Sequence, residues 1–132
     1  MSDQSRPVRL VLDTSAIVAF TDGSVPVGEL IAEVDDEEGL TGLPVLCLAE
    51  ASRLARDEAR LTLLANHSAT VLLDLPAEEW RSLGTSTHEV IGRADAASAV
   101  LAAVWHDCDV LTAVPALYAG LDEGGPILPI EE

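Results

Sequence analysis

VRLVLDTS, residues 8–15, decides how this chain folds. Val8, Leu10, Val11 and Leu12 form a near-continuous apolar run, the pattern of a strand covered on both faces in a parallel sheet. Asp13 follows at the strand's C-terminal end, the edge where open α/β sheets hold their ligands. Thr14 and Ser15 can cap a helix over 16–20. An isolated Asp at such a junction is equally an ordinary turn or cap residue, so its meaning depends on the rest of the chain.

The 132 residues suit one domain over 8–132 behind a short disordered lead, 1–7. An apolar share of 48% predicts a folded chain, and with only 3% aromatics the core must be built from Ala, Val, Leu and Ile. No apolar run approaches the length of about 20 residues needed to cross a bilayer, so no membrane association is expected. The N-terminus carries no basic segment followed by a long apolar one, which predicts no secretory signal. Cys47 and Cys108 sit inside apolar patterns, as reduced core residues of a cytoplasmic protein would.

Charge is the unusual feature. There are 23 acids against seven bases, every base is Arg, and the formal charge is −16. A field of that sign opposes nonspecific binding to nucleic acid and favours a basic partner. A host proteome that is acidic throughout would give the same composition.

After the first strand and helix, 21–26 reads as a polar turn and 27–36 as a helix with Leu30, Ile31 and Val34 on one face. The acidic run 35–38 is a solvated helix end. From Leu43 to Arg60 the periodicity predicts another helix, with Pro44 in its first turn. Leu43, Cys47, Glu50 and Leu54 then share one stripe. A Glu on an inward stripe costs free energy unless it is paired, metal-bound or at the wet rim, and a local pair with Arg53 is one such arrangement. Arg53, Arg56 and Arg60 fall on roughly one face, the only basic cluster in the chain, and ordinary surface pairing accounts for them as well.

Residues 70–75 (TVLLDL) read as a second strand. A helix follows over 76–83, with Glu78 and Glu79 in its first turn and Trp80 anchoring it to the core. His88 reads as an exposed residue in a polar connection. Residues 93–106 are Ala-rich and helical, and Asp95 stands at their start, where a cap or first-turn acid is favoured. A strand over 109–113, a short helix over 115–121, a turn at 124–126 and an edge strand over 127–130 containing Pro129 complete the chain. Strands alternating with helices predict an α/β fold, a three-layer α/β/α sandwich around a central parallel sheet.

Asp13, Glu50 and Asp95 stand out by position, and such groups can converge at the C-terminal edge of the sheet. Clustered carboxylates repel, and a fold that gathers them commonly binds Mg²⁺ or Mn²⁺ through oxygen ligands and water. A cation held this way can activate water and neutralise a phosphodiester.

The order of LVLDTSAIVAF, LPVLCLAEASRLAR and RADAASAVLAAVWHDCDVLTAVPALYAGL resembles a PIN domain, most of all the VapC toxins of bacterial toxin–antitoxin pairs. The resemblance runs over roughly 8–130. It implies a PIN-like sandwich, Mg²⁺- or Mn²⁺-dependent cleavage of RNA, a small antitoxin that wraps the toxin and covers its site, and a homodimer. Asp13, Glu50 and Asp95 match three of the family's four acidic positions. By that match Asp13 and Asp95 are direct metal ligands, and Glu50 binds the metal directly or through water. Ser15 and Thr112 match the small hydroxyl positions that support the site.

At the fourth acidic position the chain departs from the family. The common Thr-x-Asp is here Thr112-Ala113-Val114. Asp109 begins the strand and, at about 3.3 Å per residue, lies at the far end of the sheet. Asp107 is farther still, while spacing leaves Asp122 open. Losing a ligand weakens metal binding, although three carboxylates can still hold one Mg²⁺ with water and phosphate. Two functions are therefore expected. One is a VapC-type ribonuclease that grips RNA through a local patch, with Arg53 and Arg93 the foremost candidates beside Arg56 and Arg60. The other is a degenerate PIN domain that no longer cuts and serves as a regulatory subunit for a basic partner. A sheet protein of another α/β class with coincidental acids is a third possibility.

Overall fold

The apolar run that opens the chain becomes the central strand of a parallel sheet. The computed structural model describes residues 6–87, 91–121 and 125–131, so His88, Asp122, Gly124 and most of the 1–7 lead lie outside the described residues. Strand β1 (Val8–Leu12) buries Val8, Leu10, Val11 and Leu12 and exposes Arg9. It pairs in parallel with β2 (Leu40–Pro44) on one side and β4 (Asp109–Thr112) on the other. Strands β3 (Thr70–Leu73) and β5 (Ile127–Pro129) complete the order β3-β2-β1-β4-β5, all parallel. Pro129 lies on the edge strand, where its missing N–H costs least.

The connections are helical: α1 (Thr14–Thr21) and α2 (Val25–Asp36) before β2, α3 (Val45–Leu54) and α4 (Glu58–Ala65) before β3, and α5 (Trp80–Ser86) and α6 (Ala94–His106) before β4. A 3-10 helix, Pro115–Tyr118, leads from β4 toward β5. This is a three-layer α/β/α sandwich. Right-handed crossovers put the helices of the β1–β2 and β2–β3 connections on one face and those of the β3–β4 connection on the other. Buried Ala96, Ala97, Ala99 and Ala103 present small side chains along α6, which lets that helix pack on β1, β2 and β4.

Strand order reverses beside β1. The chain steps outward through β2 and β3, then returns to place β4 on β1's other side. The C-terminal ends of β1 and β4 therefore flank a switch point, where α/β sheets open a crevice.

Three expectations are corrected. The helix predicted from Leu43 is instead the end of β2 followed by α3. Residues 40–44 (LTGLP) are too short and too interrupted by Gly42 and Pro44 to show a strand pattern. Gly42 gives the neighbouring strand room, because a Cβ would lie 2.5 Å from Leu73 Cδ1 and that side chain would have to shift. Secondly, the helix does not run on to Arg60. It stops at Leu54, and Asp57 caps α4 by accepting from the Arg60 N–H at 3.0 Å. Leu43 thus belongs to the sheet and Leu54 is exposed, so the four-residue stripe does not form. Thirdly, Trp80 is 63% exposed rather than a core anchor. The Arg81 guanidinium lies 4.6 Å from its ring centroid, a cation–π contact at the surface.

Both cysteines are free, with Cys47 buried and Cys108 partly so. Among the described residues no single helix is long and apolar enough to cross a membrane.

Candidate active site

At the end of β1 the chain turns directly into α1, and Asp13 caps that helix. Its Oδ1 accepts from the Ala16 N–H at 2.9 Å. Thr14 and Ser15, expected as caps, are already inside the helix, and their hydroxyls serve other groups. Ser15 donates to Asp13 Oδ1 at 2.7 Å and accepts from the Ala113 N–H at 2.9 Å. Its proton is thereby committed, so the 3.2 Å contact with Thr112 Oγ1 is made by Thr112 donating to Ser15. Thr112 in turn accepts from the Val114 N–H at 3.0 Å. The end of β4 is thus laced to Asp13 through two hydroxyls.

The other carboxylate oxygen, Oδ2, accepts from the Tyr118 hydroxyl at 2.6 Å. Asp13 is only 2% exposed, and its charge is met by one amide and two hydroxyls. Tyr118 is fully buried. Burial first, then the neighbouring Asp13 charge and the bond to it, push the phenol far above its usual range, so it stays a donor.

Asp95 arrives from the opposite side, in the first turn of α6. The Arg93 guanidinium grips it with two bonds, Nε to Oδ1 at 3.1 Å and a terminal nitrogen to Oδ2 at 2.9 Å. Thr14 donates to Oδ2. Burial would raise this carboxyl, but the Thr14 bond and the Arg93 pair outweigh it and hold Asp95 below the usual range. Cys47 donates its thiol to the Asp95 carbonyl at 3.2 Å. Burial pushes that thiol up to about 12, so it is a packed donor rather than a nucleophile.

Asp13, Thr14, Ser15, Arg93, Asp95 and Val114 line one open cleft of about 230 Å³ at the switch point. Val114 stands at its wall, 45% exposed. Glu50 does not line this cleft. It faces an adjoining shallow depression with Asp95, Arg53 and Arg93. Arg53 holds both its oxygens, at 3.2 and 2.6 Å, and that bond lowers the Glu50 carboxyl. Arg60 is similarly occupied with Asp57 at 3.5 Å.

Asp13 and Asp95 are therefore brought together, Glu50 borders them through Asp95, and Ser15 and Thr112 stand behind Asp13. Among the described residues no three His, Cys, Asp or Glu side chains are placed to share a cation. Two carboxylates backed by hydroxyls still suit Mg²⁺ or Mn²⁺ in kind. Mg²⁺ is commonly held by one or two carboxylates, with water and phosphate completing its shell. Every carboxylate oxygen of that pair already receives a protein donor, which any ion would meet on entry.

Thr14 and Tyr118 were not legible as site residues. Thr14 looks like a cap beside Asp13. Tyr118 is the only Tyr in the chain, and that scarcity was the one available signal. The chain matches no protein-family model, and no curated protein matches it.

Proposed function

We propose that this protein is a PIN-like domain of the VapC type, a metal-dependent endoribonuclease that hydrolyses RNA phosphodiester bonds in the β1/β4 cleft. One observation carries this reading: Asp13 and Asp95, from β1 and α6, line a single open cleft at the switch point of a parallel sheet. In this reading Asp13 and Asp95 hold Mg²⁺ or Mn²⁺, which when bound supplies an activated water and neutralises phosphate charge. Ser15 and Thr112 fix the orientation of Asp13, and Thr14 fixes that of Asp95. Glu50, at the border of the cleft, orients water. Arg53 and Arg93 at the rim meet the phosphates. Against an overall charge of −16, attraction for RNA in this reading depends on that local arginine rim.

The test is cleavage of structured RNA with Mn²⁺ or Mg²⁺, compared with chelator and with Asp13→Asn and Asp95→Asn. Cleavage that needs the metal and falls at least about 100-fold in each variant is the expected result, since losing even a supporting partner of a metal site costs about 10–100-fold. Native activity that survives Asp13→Asn unchanged rejects the site.

Val114 at the cleft wall and the arginine pairing of Asp95 and Glu50 favour a second reading. In it the domain does not cut RNA and acts as a binding or regulatory subunit. Both readings carry the same partner proposals, a basic protein such as an antitoxin and a second copy of the chain, in the cytoplasm. The acidic charge supports the first of these. Co-purification with a basic protein and no metal-dependent cleavage would select the second reading.

A further inference from the structure

We infer that Arg93, as a counterion, and Tyr118, as a neutral hydrogen-bond donor, occupy the carboxylates of the acidic cleft, so that a divalent cation binds there only in competition with them. This rests on the proposal that the cleft takes a metal. The two carboxylates that face the cleft are already engaged from within the chain, each by a different device.

Asp95 is held by a full positive charge in bidentate geometry, the strongest form of carboxylate recognition a side chain offers. A cation approaching Asp95 meets the Arg93 guanidinium both as a repelling charge and as an occupant of both oxygens. Arg93 is also the group able to leave. Its side chain is 46% exposed against 11% for Asp95, and it sits at the N-cap of α6, outside the helix proper. Released from Asp95, it lies at the rim of the same cleft, where a phosphate would take its place as partner.

Asp13 is held by a neutral dipole that cannot leave. The Tyr118 ring is fully buried, and its hydroxyl is fixed on Oδ2 by the 3-10 helix that follows β4. That bond consumes acceptor capacity on the oxygen not used for capping α1. Arg93 is thus a displaceable competitor and Tyr118 a permanent one.

The experiment is Mn²⁺ titration of the full chain, read by the loss of the free-Mn²⁺ paramagnetic resonance signal and by the rise in melting temperature. It is run on the native protein, Arg93→Gln, Arg93→Lys, Tyr118→Phe and Arg81→Gln. Arg81 lies over Trp80 on α5, outside the cleft, and controls for the change in net charge. Arg93→Gln and Tyr118→Phe should each tighten Mn²⁺ binding by about tenfold, the scale of removing one competing hydrogen bond to a charged group. Arg93→Lys, which keeps the charge but not the two-pronged grip, should fall between native and Arg93→Gln, and Arg81→Gln should stay near native.

The inference is overturned if Arg93→Gln binds Mn²⁺ no more tightly than the native protein, if Arg81→Gln tightens binding equally, or if no variant binds Mn²⁺. A variant that melts lower with an unchanged Mn²⁺ affinity has only a structural role, and that also overturns it. Tighter Mn²⁺ binding with no RNA cleavage by any variant leaves this inference standing and removes the ribonuclease reading alone.

Discussion

The Thr14 hydroxyl donates to Asp95 Oδ2 at 2.5 Å, tying the first turn of α1 to the first turn of α6. Asp13 and Thr14 are chain neighbours, yet they serve opposite walls of the cleft. Asp13 supplies one carboxylate, and Thr14 holds the other in place.

Thr14→Val keeps the branched shape of this buried side chain and removes the donor. Hydrogen bonds to charged groups contribute about 1.5–3 kcal/mol, and a loss in that range is expected in urea unfolding, with Thr14→Ser close to native. The pH dependence should change as well. Asp95 titrates below its ordinary value of 3.8 in the folded state, so the unfolded chain binds more protons between the two values. Its contribution is complete above the unfolded value and is lost as pH falls through the folded one. Thr14→Val should flatten that acid limb. An unchanged acid limb would mean that Thr14 does not set the Asp95 carboxyl.

Tyr118 gives the corresponding prediction at high pH. Its phenol is pushed up by burial and by Asp13, so above about 10 the folded chain retains a proton that the unfolded chain releases. Stability from this group is complete below that pH and falls as pH rises further. Tyr118 is the only Tyr, so phenolate absorbance reports it alone. That absorbance should appear together with the loss of helical circular dichroism, not before it. Phenolate formation in a chain that is still folded would contradict the bond to Asp13.

Gly42 tests the strand that the periodicity missed. A Cβ there lies 2.5 Å from Leu73 Cδ1 and 3.2 Å from Val8 Cγ1. Gly42→Ala should cost about 1–3 kcal/mol, as overpacking does, with part of it recovered in Gly42→Ala combined with Leu73→Ala. Additive losses in the double variant would mean that β2 and β3 do not meet in this register.

What the sequence made legible follows the range of its signals. β1 was legible because burial on both faces leaves a continuous apolar run, and Asp13 because it ends that run. Asp95 stood out as the first-turn acid of an Ala-rich helix. β2 was hidden because Gly42 and Pro44 remove the alternation that marks a strand. Its Leu43 then lent false support to a helical stripe through Glu50. The bonds Tyr118 to Asp13 and Thr14 to Asp95 join residues far apart in sequence and leave no local pattern. They became visible only when β1, β4 and α6 were brought to one edge.

Val114 decides between the two functional readings, and Val114→Asp is the direct test. The side chain stands half-exposed in the cleft wall, so a carboxylate of similar size fits there without disturbing the core. Its backbone N–H is already fixed by Thr112 Oγ1 at 3.0 Å, which holds the position steady. A third carboxylate beside Asp13 and Asp95 adds repulsion that a cation relieves. Without metal, Val114→Asp should therefore melt below the native protein. With Mn²⁺ at about 100 times its Kd it should recover about 2.7 kcal/mol, the stabilisation expected of a ligand that binds only the folded state. Val114→Asn, of similar size and without the charge, should not melt lower for want of metal and should gain no more from Mn²⁺ than the native protein does. RNA cleavage that appears only in Val114→Asp would assign the native protein to the non-cutting reading. Cleavage by the native protein that rises further in the variant would mean that two carboxylates suffice and a third improves them. No Mn²⁺-dependent recovery in Val114→Asp would show that the cleft does not gather its carboxylates around a metal at all.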